Sequence, residues 1–263
     1  PLRWNSDDIS ANGQMLGHFC DDKTIEDTAP LLTIDKKNTT FHSWIRRAAS
    51  KVTVAYDGSK LEEGVFIYLK SVQIKDIPLN CPLGDSNEPG ENDRLIPDGE
   101  TITYGTGTNY DEFWPARITK GRAYYPYDKD TYGLSADAHT EKAEALYFYE
   151  NMQGEGESKK QDWKDPGHIT YPEGNDPSKP GFKDNKKYGT YIEVKAFYRS
   201  INSDRVGSGD IVYRFMLGKD TEKDYNAERN HHYRLTLKFN RYANDVDWHI
   251  DYEEEMPGVE IPD

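Results

Sequence analysis

The chain has 263 residues, at or above the size where a single hydrophobic core stops growing, so its length admits one large domain or two ordinary ones. Against 33 basic residues stand 47 acidic ones, a formal charge of −14 whose field repels phosphate backbones and anionic lipid surfaces and argues against nucleic acid as a partner. Hydrophobic residues make up only 35%, yet aromatics reach 13% with 19 tyrosines, a content that a disordered chain would not carry.

No apolar run approaches the roughly 18 residues of a bilayer span, and the opening PLRWNSDDIS has neither a charged leader nor an apolar signal core. A signal for export would therefore lie outside this chain, and Pro1 is expected to be a cut end of something longer. Leu31–Ile34 and Thr40–Ile45 are the first expected strands, both weakly periodic. A firmer strand follows at Ser50–Tyr56, where Val52, Val54 and Tyr56 alternate, and Asp57-Gly58 is expected to turn the chain. Val65–Leu69 and the alternating Val72, Ile74 and Ile77 continue this strand group until Pro78 removes a ladder donor.

From about 79 to 142 prolines, glycines and a tyrosine-rich patch (Tyr124, Tyr125, Tyr127, Tyr132) predict loops with short strands among them, and Ala138–Ala145 has modest helix propensity. Ala145–Gly154 begins a new strand with Leu146, Phe148 and Met152 inward, and the polar insertion up to about 187 is expected to be a long surface loop. Tyr188–Tyr198 and Ile211–Leu217 read as strands. The clearest signal comes last. Tyr233, Leu235, Leu237 and Phe239 alternate with Arg234, Thr236, Lys238 and Asn240. After a turn at 241–244, Val246, Trp248, Ile250 and Tyr252 alternate with Asp245, Asp247, His249, Asp251 and Glu253, giving a hairpin with an acidic outer face. Short strands with turns between them, and almost no 3.6-residue apolar stripe, predict an all-β sandwich protein of two domains, 1–143 and 144–263, with long loops.

Catalytic signatures are absent: the chain has no G-x-S-x-G elbow, no H-E-x-x-H and no P-loop. Gly105-Thr106-Gly107 opens like a dinucleotide loop, but Tyr110 takes the place of the third glycine. Asp128–Gly133 starts like an EF-hand loop, yet Tyr132 and His139 stand where oxygen ligands belong, so the expected reading is a turn and no metal site. His231 and His232 are adjacent on a strand and point to opposite faces, one expected to be packed and the other solvated. The acidic row of the last strand reads as a solvated face, and abundant carboxylates do not define a glycosidase pair. Tyrosines and tryptophans between 110 and 132 fill a core or stack sugar rings. Cys20 and Cys81 make no disulfide framework, which leaves a single bridge between them open. No catalytic, cofactor or metal residue is assigned.

Several segments resemble the fimbrillin-like proteins of Bacteroidales. IRRAASKVTVAYDG followed by GVFIYLKSVQIKDIPL, residues 45–79, is similar to that family's N-terminal strands, with Asp76 where the family often has Asn. ALYFYENMQG and TYIEVKAFYRS look like two later strands. IVYRFMLGKDTEKDYNAERNHHYRLTLKF resembles its closing signature, with Asn226, Arg229, Asn230 and Tyr233 at the matched positions. The resemblance implies two transthyretin-like β-sandwich domains, the first lacking its first strand. It implies a structural, adhesive and non-enzymatic subunit of a bacterial surface fimbria, needing no cofactor and displayed at the outer membrane of a Gram-negative cell. Membrane contact would come only through a lipid anchor on the precursor. Its partners would be other fimbrial subunits joined by donor-strand addition, together with a host or bacterial surface ligand. Arg46 and Arg47 are candidates for protease processing, although the family strand itself carries an arginine there, which favours a structural role. Met256, Val259 and Ile261, interrupted by two prolines, make a poor donor strand, so a trimmed chain is expected. The alternative is a surface glycan-binding lipoprotein.

Overall fold

The structure, a computed structural model, describes residues 2–3, 13–20, 42–82, 84–90, 93, 95–105, 116–124, 145–156, 159, 162–165, 168–170, 189–243 and 245–254. The strand expected at Leu31–Ile34, the helix-prone 138–144, and the EF-hand-like turn at 128–133 lie outside the described residues, as do Tyr125, Tyr127 and Tyr132. No described helix is long and apolar enough to cross a membrane.

Strands β1 (Leu2–Arg3), β2 (Met15–Cys20), β3 (His42–Arg47), β4 (Ala49–Leu61), β5 (Val65–Pro78) and β6 (Asn80–Cys81) lead into β7 (Leu95–Thr103), β8 (Arg117–Thr119) and β9 (Ala123–Tyr124). The chain continues through β10 (Leu146–Tyr149), β11 (Asn151–Glu155), β12 (Asp162–Asp165) and β13 (His168–Thr170). It ends with β14 (Tyr191–Ser200), β15 (Gly207–Met216), β16 (Asp224–Ala227), β17 (His231–Arg241) and β18 (Asp245–Glu254). One sheet has the order β10-β4-β17-β18, with β9 also on β4; the other has the order β15-β14-β5-β7, with β8 also on β5. Between them lies one continuous core of inward-facing residues from both sheets.

The all-β sandwich is as the strand code predicts, but the division at 143/144 is corrected. β4 pairs with β10 and, in parallel, with β17; β5 pairs with β14. Strands from both halves of the sequence thus alternate within each sheet, and Val54, Leu235, Ile67 and Val194 pack into the same core. Neither half could close a core alone, because the central strands of each sheet come from opposite sides of the boundary.

The closing hairpin is as expected. Tyr233, Leu235, Leu237 and Phe239 are fully buried and stand opposite Tyr252, Ile250, Trp248 and Val246. The turn needs positive φ at Arg241 (47°) and Ala243 (61°), and the Ala243 carbonyl accepts a hydrogen bond from Tyr213 Oη (3.1 Å), which ties the hairpin to the facing sheet.

Bulges account for most departures from simple periodicity. Residues 65–78 form a single strand whose inward residues change parity between Leu69 and Val72, because Lys70 is extruded where Ser71 and Leu69 face consecutive residues of β14. Asp57-Gly58 does not turn the chain. It lies inside β4 at a bulge, and a Cβ on Gly58 would stand 2.4 Å from the Thr119 carbonyl, so the glycine serves the close approach of the β8–β9 turn. β7 is a nine-residue strand where loops are expected; Pro97 and Gly99 conceal it, and both are tolerated at a sheet edge with a bulge. The polar insertion is not all loop, since β12 and β13 pair within it. ALYFYENMQG splits at Glu150, β10 joining the main sheet and β11 pairing with β16.

Candidate functional site

Six residues singled out by the sequence, Arg46, Arg47, Asn226, Arg229, Asn230 and Tyr233, meet at one corner where β16 turns into β17. Asn230 occupies the left-handed region (φ 61°), which asparagine tolerates better than most residues. Its Oδ1 accepts the Arg47 N–H (3.1 Å) and its own N–H donates to the Ala49 carbonyl (3.2 Å), pinning the β3–β4 junction to the turn. Tyr233 reaches back over the same turn, accepting the Glu228 N–H (2.7 Å) and donating to the Asn226 carbonyl (3.3 Å). Burial pushes its phenol well above the ordinary range, so the donor proton stays in place. Asn226 holds the neighbouring ribbon, accepting the Gly154 N–H (2.7 Å) and donating from Nδ2 to Asp224 (2.9 Å).

Arg229 is the hub. Its Nη2 donates to Glu150 Oε1 (2.8 Å) and to the Asp85 carbonyl (2.6 Å), its Nη1 to the Pro82 carbonyl (3.0 Å), and its backbone N–H to Glu150 Oε2 (3.2 Å). Burial works against the guanidinium charge, but the hydrogen bond and charge of Glu150 outweigh it and raise its pKa. Glu150 is 6% exposed and also accepts the Asn87 N–H (2.9 Å), while Asn87 Nδ2 donates to the carbonyls of Asn80 and Glu150. Beside this pair Cys81 is a buried free thiol, pushed up to about 11 by burial, so the open Cys20–Cys81 bridge is not formed.

A second layer flanks the first. The Glu228 carboxylate takes a hydrogen bond from Tyr252 Oη and a 2.5 Å ion pair from Lys219, whose pKa that bond raises. His231 stacks on Tyr252 (4.0 Å between ring centroids, 11°), and its N–H donates to Ser50 Oγ (2.9 Å). His232, on the opposite face, is buried with Nε2 2.9 Å from Thr53 Oγ1. Neither histidine is solvated, which corrects the expectation for one of them; each face of β17 here meets packed structure.

The ribbon of β2 and β3 faces this corner across a cleft of about 570 Å³, with Leu16, His18 and Arg46 on one wall and Glu150, Arg229 and His231 on the other. The charged groups of the corner are mainly engaged with one another and with backbone carbonyls, an arrangement suited to fixing chain segments in place. Among the described residues no three His, Cys, Asp or Glu are grouped to hold a metal ion. Sequence reasoning missed Glu150, Asn87, Glu228 and Ser50. The Glu-Asn ending of ALYFYENMQG was a signal for the first, but nothing local links it to an arginine 79 residues on. Of the tyrosine patch, Tyr124 packs edge-on against Tyr104 (5.4 Å), beside Tyr56 in the core.

Residues 146–237, from the start of β10 into β17, match a family described as a domain of unknown function, DUF4906. No curated protein matches the chain. Solved structures do. A candidate cell adhesion protein from Parabacteroides distasonis aligns with TM-score 0.42 and 10% identity over 79% of this chain and 52% of its own. A fimbrial protein from Bacteroides vulgatus aligns with TM-score 0.41 and 9% identity over 80% and 55%. The tip fimbrial protein Mfa3 from Porphyromonas gingivalis, with a C-terminal truncation, aligns with TM-score 0.34 and 10% identity over 80% and 52%. These are fimbrial or candidate adhesion proteins of Bacteroidales. The chain spans about half the length of each.

Proposed function

We propose that the chain is a structural and adhesive subunit of a bacterial surface fimbria, non-enzymatic, joined to neighbouring subunits by strand addition. The observation that carries the reading is the flank formed by β15 and β18. Each is a ten-residue strand that stands at the end of its sheet's order among the described residues, and Phe215 and Trp248 meet across the gap (5.2 Å). Long open edges invite pairing with another chain, and natural sandwiches leave them bare where a partner supplies the missing strand. On the opposite flank the edges are broken into the shorter β7, β8, β9 and β10. The subunit would be displayed at the outer membrane of a Gram-negative cell, its precursor held by a lipid anchor.

For Arg46 and Arg47 we favour a structural role over processing. β3 pairs with β2 along its length, and the Arg47 N–H is held by Asn230, so the bonds beside these arginines are sheltered while the corner is intact. The test is size-exclusion chromatography and electron microscopy of the full-length precursor before and after limited cleavage by an arginine- or lysine-directed protease. Fibres or ladders that form after cleavage support the reading, and sequencing of the new N-terminus locates the cut. A protein that stays monomeric under every cleavage condition overturns it.

A further inference from the structure

The two end strands differ in charge. On the outer face of β15, Asp210 is matched by Lys70 of β5 (2.5 Å) and Arg214 by Glu193 of β14 (2.5 Å), so its charges are satisfied within the sheet. The other sheet alternates from strand to strand. Asp57 of β4 faces Lys238 of β17 (3.5 Å), and Lys238 in turn stands opposite Asp247 of β18; Arg234 stands opposite Asp251. The last strand is therefore the acidic one, with Asp247 exposed and Asp251 half-exposed (side chains 63% and 44%) and no strand beyond them among the described residues. Lys60 approaches Asp247 at 3.6 Å, an exposed pair, and His249 donates toward Asp251 at 2.8 Å; neither supplies a row of bases. On the inner face the same strand carries Trp248 and Tyr252, which are only partly buried and have Lys159 Nζ and Lys219 Nζ over one face of their rings (5.8 and 6.0 Å to the centroids), whereas their opposites Leu237 and Tyr233 are fully buried. β12 touches β18 but pairs with β13 instead of joining its ladder.

We propose that the outer edge of β18 accepts an extended segment of a different polypeptide in which apolar residues alternate with lysine or arginine. The apolar set would cover Trp248 and Tyr252, and the basic set would lie beside Asp247 and Asp251, continuing the alternation of charge across the sheet. Opposite charges on neighbouring strands are favourable and like charges are not, so the edge selects by sign as well as by pattern. Residues 255–263 carry Glu255, Glu260 and Asp263, two prolines and no base, so that segment of a second copy does not meet the requirement. This inference rests on the strand-addition reading above and names the chemistry of its partner.

The test is calorimetric titration of the full chain with three synthetic peptides of about nine residues. One alternates valine and lysine, one alternates valine and glutamate, and one has the valine–lysine composition in two blocks. The alternating basic peptide is expected to bind about tenfold more tightly than the acidic one, from two cross-strand charge pairs, with the gap closing in the Asp247→Asn/Asp251→Asn variant and at high salt. Equal binding of both alternating peptides would overturn the charge selection while leaving strand addition in place. Binding of the blocked peptide as tight as the alternating one would reduce the effect to attraction by a chain of net charge −14 and overturn the site. Failure of every alternating peptide would overturn strand addition at this edge, and the inference with it.

Discussion

Replacing Arg229 by methionine keeps an unbranched apolar stem but removes the guanidinium and its three side-chain hydrogen bonds, to Glu150, Pro82 and Asp85. Glu150 keeps the Asn87 and Arg229 backbone donors but loses its counter-charge while 6% exposed. Breaking one side of a buried pair in this way costs about 3–5 kcal/mol. Glu150→Gln keeps the shape and removes the charge, leaving Arg229 partly exposed to water, and is expected to cost about 2 kcal/mol. The double variant has no stranded charge, so it should be less destabilised than the sum of the two, with a coupling of about 1.5–3 kcal/mol. Urea denaturation with a common slope gives all four stabilities. Amide exchange should show the segment 82–87 losing protection in Arg229→Met, because the guanidinium holds its carbonyls. A coupling under about 0.5 kcal/mol would mean that the pair is not the hub of the corner and would refute the reasoning.

Other outcomes follow from the same geometry. Tyr233→Phe strands the Glu228 N–H and the Asn226 carbonyl under a buried ring and should cost about 1–3 kcal/mol in the same assay, with Tyr233→Leu costing more. Asp76 has φ 54° and its carboxyl is raised to about 6, chiefly by burial, so the stability it contributes is full below about pH 4 and lost as pH rises through about 6. Asp76→Asn should therefore flatten the stability profile between pH 4 and 6 and stabilise the chain near pH 7.5 by about 1 kcal/mol once solvent screening is allowed for; an unchanged profile would contradict this. Gly58→Ala drives a methyl into the Thr119 and Arg122 carbonyls and should cost about 1–3 kcal/mol, whereas Gly207→Ala, with open space around it, should cost little.

The parts of this fold that a sequence reveals are those where each strand keeps one parity. β17 does so from Tyr233 to Asn240 and β18 from Val246 to Tyr252, and there the inward residues are as the alternation predicts, whereas His231 and His232 at the start of β17 are both packed. β5 does not, because extruding Lys70 moves the inward set from Leu69 to Val72, and a bulge is a property of two strands at once, invisible in one. β7 is hidden by the residues that let it sit at an edge, Pro97 and Gly99. The single core was illegible for a related reason. β4 and β17 are individually plain, but nothing in either states that they lie side by side in parallel across more than 170 residues of chain. The corner was half legible. The resemblance singles out Asn226, Arg229, Asn230 and Tyr233 as one motif, while Glu150, which partners Arg229 in the structure, and Asn87, which holds Glu150, come from distant segments.

The central claim is that the flank of β15 and β18 receives a strand from another chain. Amide hydrogen exchange read by mass spectrometry, on the monomer and on the assembled form that limited proteolysis yields, tests it most directly. The account expects the backbone of residues 207–216, 245–254 or both to gain strong protection on assembly, with β7 and β8 on the far flank unchanged. Assembly with both edges exchanging as in the monomer, or protection gained only on the far flank, would contradict it.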